Sequence, residues 1–230
     1  MEAIILAGGF GSRLRTLVPD VPKPLAPIRS RPFLEYLLDY LILEGFQRII
    51  VAVGDRADSI IGHFKAQYRT LAIRYSRETS PLGTGGAIRC ALKAARSENV
   101  FVLNGDTFAQ IDYRRMLSQQ QETATSMTMA VKYVEDVSRY GRVEICRGQV
   151  KSLEFDGSLG GGYINAGVYL LPRRILEHDD LPEIFSFERD FLAPRIQHVR
   201  PRAFVMSGYF IDIGVPRDYQ RAQKELPEWK

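Results

Sequence analysis

From the amino terminus, the chain alternates between short unbroken apolar runs and stretches where apolar residues recur every three or four positions. AIILA (3–7) is continuous and ends in glycine, as expected of a strand covered on both faces. In FLEYLLDYLILEG (33–45), Phe33, Leu37, Leu38, Leu41 and Ile42 share one helical face, and Gly45 stops the helix. RIIVAVG (48–54) predicts a strand, DSIIGHFKAQY (58–68) a helix and IRYSRE (73–78) another strand. TGGAIRCALKAA (84–95) becomes helical after its glycines, and NVFVLNGD (99–106) is a buried strand with a polar end.

Strand–helix–strand repetition at this spacing predicts an α/β fold, a parallel sheet with helices on both faces. Ligands then gather at the carboxyl ends of the strands. Gly8–Arg13, Glu78–Gly86 and Asn104–Asp106 all fall at such ends. Each alone is an ordinary turn; three on one edge suggest a site. The second half reads as extended segments at 125–134, 142–146, 150–155 and 163–171, with breaks at Gly141, Gly148 and 157–162. SFERDFLAPRI (186–196) is expected to be helical with Ser186 as cap, GYFIDIG (208–214) a last strand, and PRDYQRAQKEL (216–226) a closing helix opened by Pro216. Without repeats or a linker, one domain over 1–230 is the economical reading.

Composition narrows the classes. A length of 230 residues, 45% hydrophobic and 25% charged, fits one sizeable folded core. The net charge of +4 is spread without a run of like charges, which disfavours a nucleic-acid partner but suits small anions. Cys90 and Cys146 make no CxxC pair, so a reduced cytoplasmic setting is expected. No apolar run reaches the roughly 18 residues of a membrane span. His63, His178 and His198 lack metal-ligand spacing and are expected at surface or packing positions.

The glycine-rich loop GGFGSR is neither a GxxxxGK[ST] phosphate loop nor GxGxxG, since no glycine follows at the third position. That disfavours an NAD-linked dehydrogenase. Its glycines let backbone amides approach an anion, and Arg13 offers a fork matched to phosphate oxygens. Lys23 sits in Pro22-Lys23-Pro24, where two prolines stiffen the backbone and aim the side chain.

LAGGFGSRL, PKPLAPI, PLGTGGAI, LNGD, INAGVYLL and FIDIG followed by proline form an ordered set that resembles the sugar-phosphate nucleotidyltransferases, over residues 2 to about 220. The resemblance implies a Rossmann-like three-layer α/β sandwich with a mostly parallel central sheet. It also implies a nucleotide-binding portion (about 1–110), a smaller β-rich sugar-binding portion (about 111–230) and no C-terminal β-helix domain. The implied reaction couples a nucleoside triphosphate to a sugar 1-phosphate and releases pyrophosphate. ETSPLGTGGAI, VLNGDTF, SRYGRV and YFIDIGVPRDY point within the family to guanylyltransferases acting on a heptose 1-phosphate, with mannose 1-phosphate as the alternative.

By that resemblance, Gly8, Gly9 and Gly11 with Arg13 hold the departing β- and γ-phosphates, and Lys23 bridges the α-phosphate and the incoming sugar phosphate. Leu6, Ala7, Gly83 and Thr84 complete the nucleotide site. Asp106 and Asp212 share a Mg²⁺ with phosphate oxygens, a donor set suited to that hard ion. Gly141, Glu154 and Asn165 serve the sugar. Glu78 stands five residues before Gly83, where relatives using UTP or dTTP typically carry glutamine. A carboxylate only accepts hydrogen bonds, and guanine offers N1–H and its 2-amino group, so GTP is the expected donor. A glutamate on an exposed loop is the ordinary alternative. Where many relatives carry Glu-Lys-Pro, with the lysine on the sugar phosphate, the chain reads EFDGSLGGG; Arg142 and Arg195 are the replacements considered. A non-catalytic nucleotide-binding regulator on the same fold is the competing class, and a homo-oligomer is compatible with the sequence.

Overall fold

The apolar run at the amino terminus forms β1 (Glu2–Leu6). Its side chains divide between two cores, Ala3 and Ile5 on one face and Ile4 on the other, so an unbroken hydrophobic run was required. The structure, a computed structural model, describes the chain apart from residues 10–13, 15, 16, 20, 124, 156–158, 178, 179, 229 and 230. A 3₁₀ turn at Lys23–Leu25 leads to a small antiparallel ribbon of β2 (Pro27–Ile28) and β3 (Arg31–Pro32). Then come α1 (Phe33–Leu43), β4 (Arg48–Val53), α2 (Ala57–Phe64), β5 (Gln67–Tyr68), β6 (Leu71–Arg77), α3 (Gly83–Leu92) and β7 (Asn99–Asn104). Gly45, with φ at +87°, ends α1 as expected.

The helix expected over 58–68 is shorter. Lys65 leaves helical geometry at φ +54°, and Gln67–Tyr68 folds back antiparallel on β6. The later elements are β8 (Thr107–Ala109), α4 (Tyr113–Thr123), β9 (Thr128–Val134), β10 (Val143–Cys146), β11 (Gln149–Leu153) and β12 (Gly162–Pro172). After a π-helical turn at Phe187–Leu192 follow α5 (Ile196–Val199), β13 (Arg202–Met206), β14 (Phe210–Asp212) and α6 (Pro216–Glu225). The segment expected as one helix over 186–196 is therefore that π-helical turn, capped by the Ser186 hydroxyl, which accepts from Arg189 N–H. The sequence pattern did not reveal α4, which buries only Tyr113, Met116 and Gln120, too narrow a stripe for strong periodicity.

One ten-stranded sheet runs β10-β11-β13-β9-β12-β7-β1-β4-β6-β5. Its parallel pairings are β7–β1, β1–β4, β4–β6 and β13–β9; the others are antiparallel. The sheet is thus mixed, and the parallel pairing expected across most of it is concentrated in the half built from β7, β1, β4 and β6. Helices α1, α2 and α6 pack on one face and α3 with the π-helical turn on the other, giving three layers. Strands β8 and β14 pair outside this sheet, setting Asp212 opposite Thr107. Among the described residues no helix is long and apolar enough to cross a membrane.

Candidate active site

A cavity of about 390 Å³ opens at the carboxyl ends of β1, β6 and β7, where a parallel sheet concentrates unpaired backbone polarity. Leu6, Ala7, Gly8 and Gly9 form one wall as β1 ends, and Glu78, Gly83 and Thr84 form another. Lys23 and Asp106 also line it. The expected nucleotide residues therefore meet in one space. Gly11 and Arg13 lie outside the described residues.

Glu78 is carried at the end of β6, where its N–H bonds Val53 O at 2.8 Å. Its Oε2 accepts from Leu82 N–H at 3.1 Å. Its Oε1 lies 2.5 Å from where a Cβ on residue 8 would stand, so a side chain there would displace the carboxylate. Burial pushes the carboxyl pKa up, and the Leu82 N–H partly opposes this. Helix α3 begins beside it. Gly83 (φ +71°) and Gly85 let α3 press against the Phe185 backbone and ring, and Gly85 N–H donates to Phe185 O at 2.9 Å.

Lys23 Nζ pairs with Asp106 Oδ2 at 2.7 Å. Pairing of β8 with β14 brings Asp212 alongside: Ile213 N–H donates to Asp106 O at 3.0 Å. A Cβ on Gly214 would lie 2.7 Å from Asp212 Oδ1 and 3.4 Å from Lys23 Nζ, so the three groups share one small space. Arg139 bonds Asp212 Oδ2 at 2.6 Å and also pairs with the buried Asp218. Arg139 belongs to the SRYGRV run, yet its hold on Asp212 was not visible before the fold was known. Among the described residues, no cluster of three or more His, Cys, Asp or Glu side chains could hold a metal by itself.

A second cavity, about 230 Å³, is lined by Gly141, Glu154 and Asn165, the three residues expected for the sugar. Gly141 has φ +77°, and a Cβ there would collide with Glu154 O. Asn165 precedes a bulge in β12 where Gly167 takes φ +68°. Asn165 Nδ2 donates to Tyr169 OH at 2.5 Å, and its Oδ1 accepts from Gly167 N–H at 2.9 Å. The wholly buried Tyr169 hydroxyl, whose pKa burial raises far above the usual range, donates to Glu188 Oε1 at 2.8 Å. Glu188 Oε2 accepts from Thr84 at 2.9 Å and from Ser186 at 3.2 Å. In the sequence Glu188 shows only as part of an expected helix; its link to Thr84 spans 104 residues, beyond any local pattern.

The two arginines considered for the missing lysine are both engaged elsewhere. Arg142 lines the second cavity but donates to Gly161 O (3.0 Å) and Leu159 O (3.2 Å). Arg195 turns to Asp190 O and lies over the Phe191 ring.

The chain belongs to the nucleotidyl transferase family, whose model matches residues 2–228. Among individual relatives, it is 42% identical over 229 residues to D-glycero-alpha-D-manno-heptose 1-phosphate guanylyltransferase of Aneurinibacillus thermoaerophilus, covering 100% of both chains. It is 43% identical over 220 residues to the Campylobacter jejuni protein of that name, covering 95% of this chain and 97% of the other. The crystal structure of HddC from Yersinia pseudotuberculosis superposes with a TM-score of 0.88 at 38% identity, over 98% of this chain and 99% of that one. HddC has also been solved complexed with GMP-PN.

Proposed function

We propose that this chain is a guanylyltransferase joining GTP to D-glycero-α-D-manno-heptose 1-phosphate, giving the GDP-sugar and pyrophosphate. The heptose rests on likeness to the two bacterial relatives, and mannose 1-phosphate is the alternative acceptor. The observation that carries the guanine assignment is Glu78, a carboxylate at the wall of the nucleotide cavity, an acceptor-only group of the kind guanine's N1–H and 2-amino donors call for. The nucleotide-binding portion is about 1–110 and the sugar-binding portion about 111–230.

An oxygen of the sugar phosphate attacks the α-phosphorus while the α–β bridging P–O bond breaks and its electron pair leaves with pyrophosphate. No covalent enzyme intermediate is needed; the protein aligns two anions and neutralises their charge. Gly8, Gly9 and Gly11 amides with Arg13 hold the leaving phosphates. Lys23 moves from Asp106 toward the α-phosphate. Asp106 and Asp212, neighbours through the β8–β14 pairing, would hold a divalent cation, proposed to be Mg²⁺, a hard ion suited to carboxylate oxygens. When bound, that ion supplies charge neutralisation at the phosphates. Arg139 keeps Asp212 oriented. Gly141, Glu154 and Asn165 take the sugar hydroxyls.

A matrix of the four nucleoside triphosphates against sugar 1-phosphates, scored by pyrophosphate release, tests this. GTP with the heptose 1-phosphate should turn over fastest, and Glu78→Gln should erode the GTP preference. A wild type that prefers UTP would overturn the guanine assignment. No release with any pair would favour the non-catalytic regulator.

A further inference from the structure

The second cavity poses a charge problem. A sugar 1-phosphate brings a phosphomonoester with close to two negative charges at neutral pH, in line with other phosphomonoesters. Two carboxylates, Glu154 and Glu188, line the space it would enter. The cations there are Arg142 and Arg189. Arg142 is held by the carbonyls of Leu159 and Gly161. Arg189 is exposed, and its guanidinium forms no hydrogen bond or ion pair among the described residues. Its backbone is fixed, because Arg189 N–H donates to Ser186 Oγ at 3.2 Å. Its side chain is guided as well, with Cζ 4.4 Å from the centroid of the Phe155 ring.

We infer that Arg189 binds the phosphate of the sugar 1-phosphate in this cavity. The inference rests on reading the second cavity as the sugar-phosphate pocket. Phe155 directly follows Glu154, in the stretch where many relatives carry the lysine. The chain thus places an aromatic face there and returns the positive charge from a distant element, the π-helical turn. A guanidinium lying on a ring keeps its N–H edges free, and those edges match two phosphate oxygens at once. Stacking also limits the side chain's freedom, so less order is lost on binding.

Calorimetric titration of the full-length protein with α-D-mannose 1-phosphate and, separately, with mannose tests this without requiring turnover. Arg189→Ala should weaken mannose 1-phosphate binding by about tenfold or more. GTP binding and the thermal midpoint should stay unchanged, and Arg189→Lys should recover part of the loss. Inorganic phosphate should compete with mannose 1-phosphate in the wild type and compete more weakly in Arg189→Ala. Unchanged binding in Arg189→Ala would overturn the assignment. So would an equal loss for mannose and mannose 1-phosphate, which would place Arg189 on the ring instead. A wild type that binds the phosphomonoester through Arg189 but releases no pyrophosphate would overturn the transferase reading alone.

Discussion

Glu78 has its two oxygens in different surroundings, one bonded to the Leu82 N–H and one against the Gly8 backbone. Because burial raises its pKa, the folded protein holds this proton to a higher pH than the unfolded chain does. Stability therefore falls as pH rises from the ordinary carboxylate range through the folded pKa, and the deficit stays constant above it. Glu78→Gln should accordingly raise the thermal midpoint of the ligand-free protein at neutral pH, with the difference vanishing on acidification. GTP affinity should run the other way. It should start to fall at a higher pH than an exposed glutamate would dictate, since the protonated acid loses an acceptor site. Scanning calorimetry and GTP titration across pH read the two effects separately. Lys23 acts at the same scale: Lys23→Ala should lower kcat by about a hundredfold or more if its charge is used in the transition state. Near-normal turnover in a pyrophosphate-release assay would remove it from the catalytic set.

At the scale of elements, the approach of α3 to the loop before the π-helical turn shapes the first cavity, which Gly83, Thr84 and Ala87 line. A Cβ on Gly85 would lie 2.1 Å from Phe185 Cε2, a direct clash with the ring. Phe185 is 2% exposed and has little space to retreat. Gly85→Ala should cost about 1–3 kcal/mol through overpacking, read as a lower urea midpoint. An unchanged midpoint would mean that the loop moves freely. The run TGGAI already announced a helix beginning in glycines. It did not announce what those glycines accommodate, because Phe185 approaches from about a hundred residues away. Helix α2 stopped early for a similar reason: Gln67 and Tyr68 gain a strand partner in β6 that outweighs continuing the helix.

For the whole molecule, the two cavities are joined through one carboxylate. Glu188 accepts from Thr84, which lines the first cavity, and from Tyr169, which holds Asn165 at the second. Glu188→Gln turns one acceptor into a donor and leaves either Thr84 or Tyr169 mismatched, a loss on the order of 1 kcal/mol or more. KM should then rise severalfold for both GTP and the sugar 1-phosphate. A rise for the sugar substrate alone would show that the carboxylate does not couple the two cavities.

The sequence by itself determined the elements whose periodicity is strong and local. Strands β1, β4 and β7 were legible because burial on both faces demands unbroken apolar runs, and α1 was legible through its wide apolar face and Gly45. It also determined that Gly8, Glu78 and Asn104 stand at strand ends, since that follows from chain order alone. Only the tertiary structure decided which charges meet. The β8–β14 pairing sets Asp212 beside Asp106, Arg139 closes on Asp212, and Arg189 lies over Phe155. Such pairings depend on segments brought together by the buried sheet, and a one-dimensional pattern carries no term for charges that become neighbours only when the core between them forms.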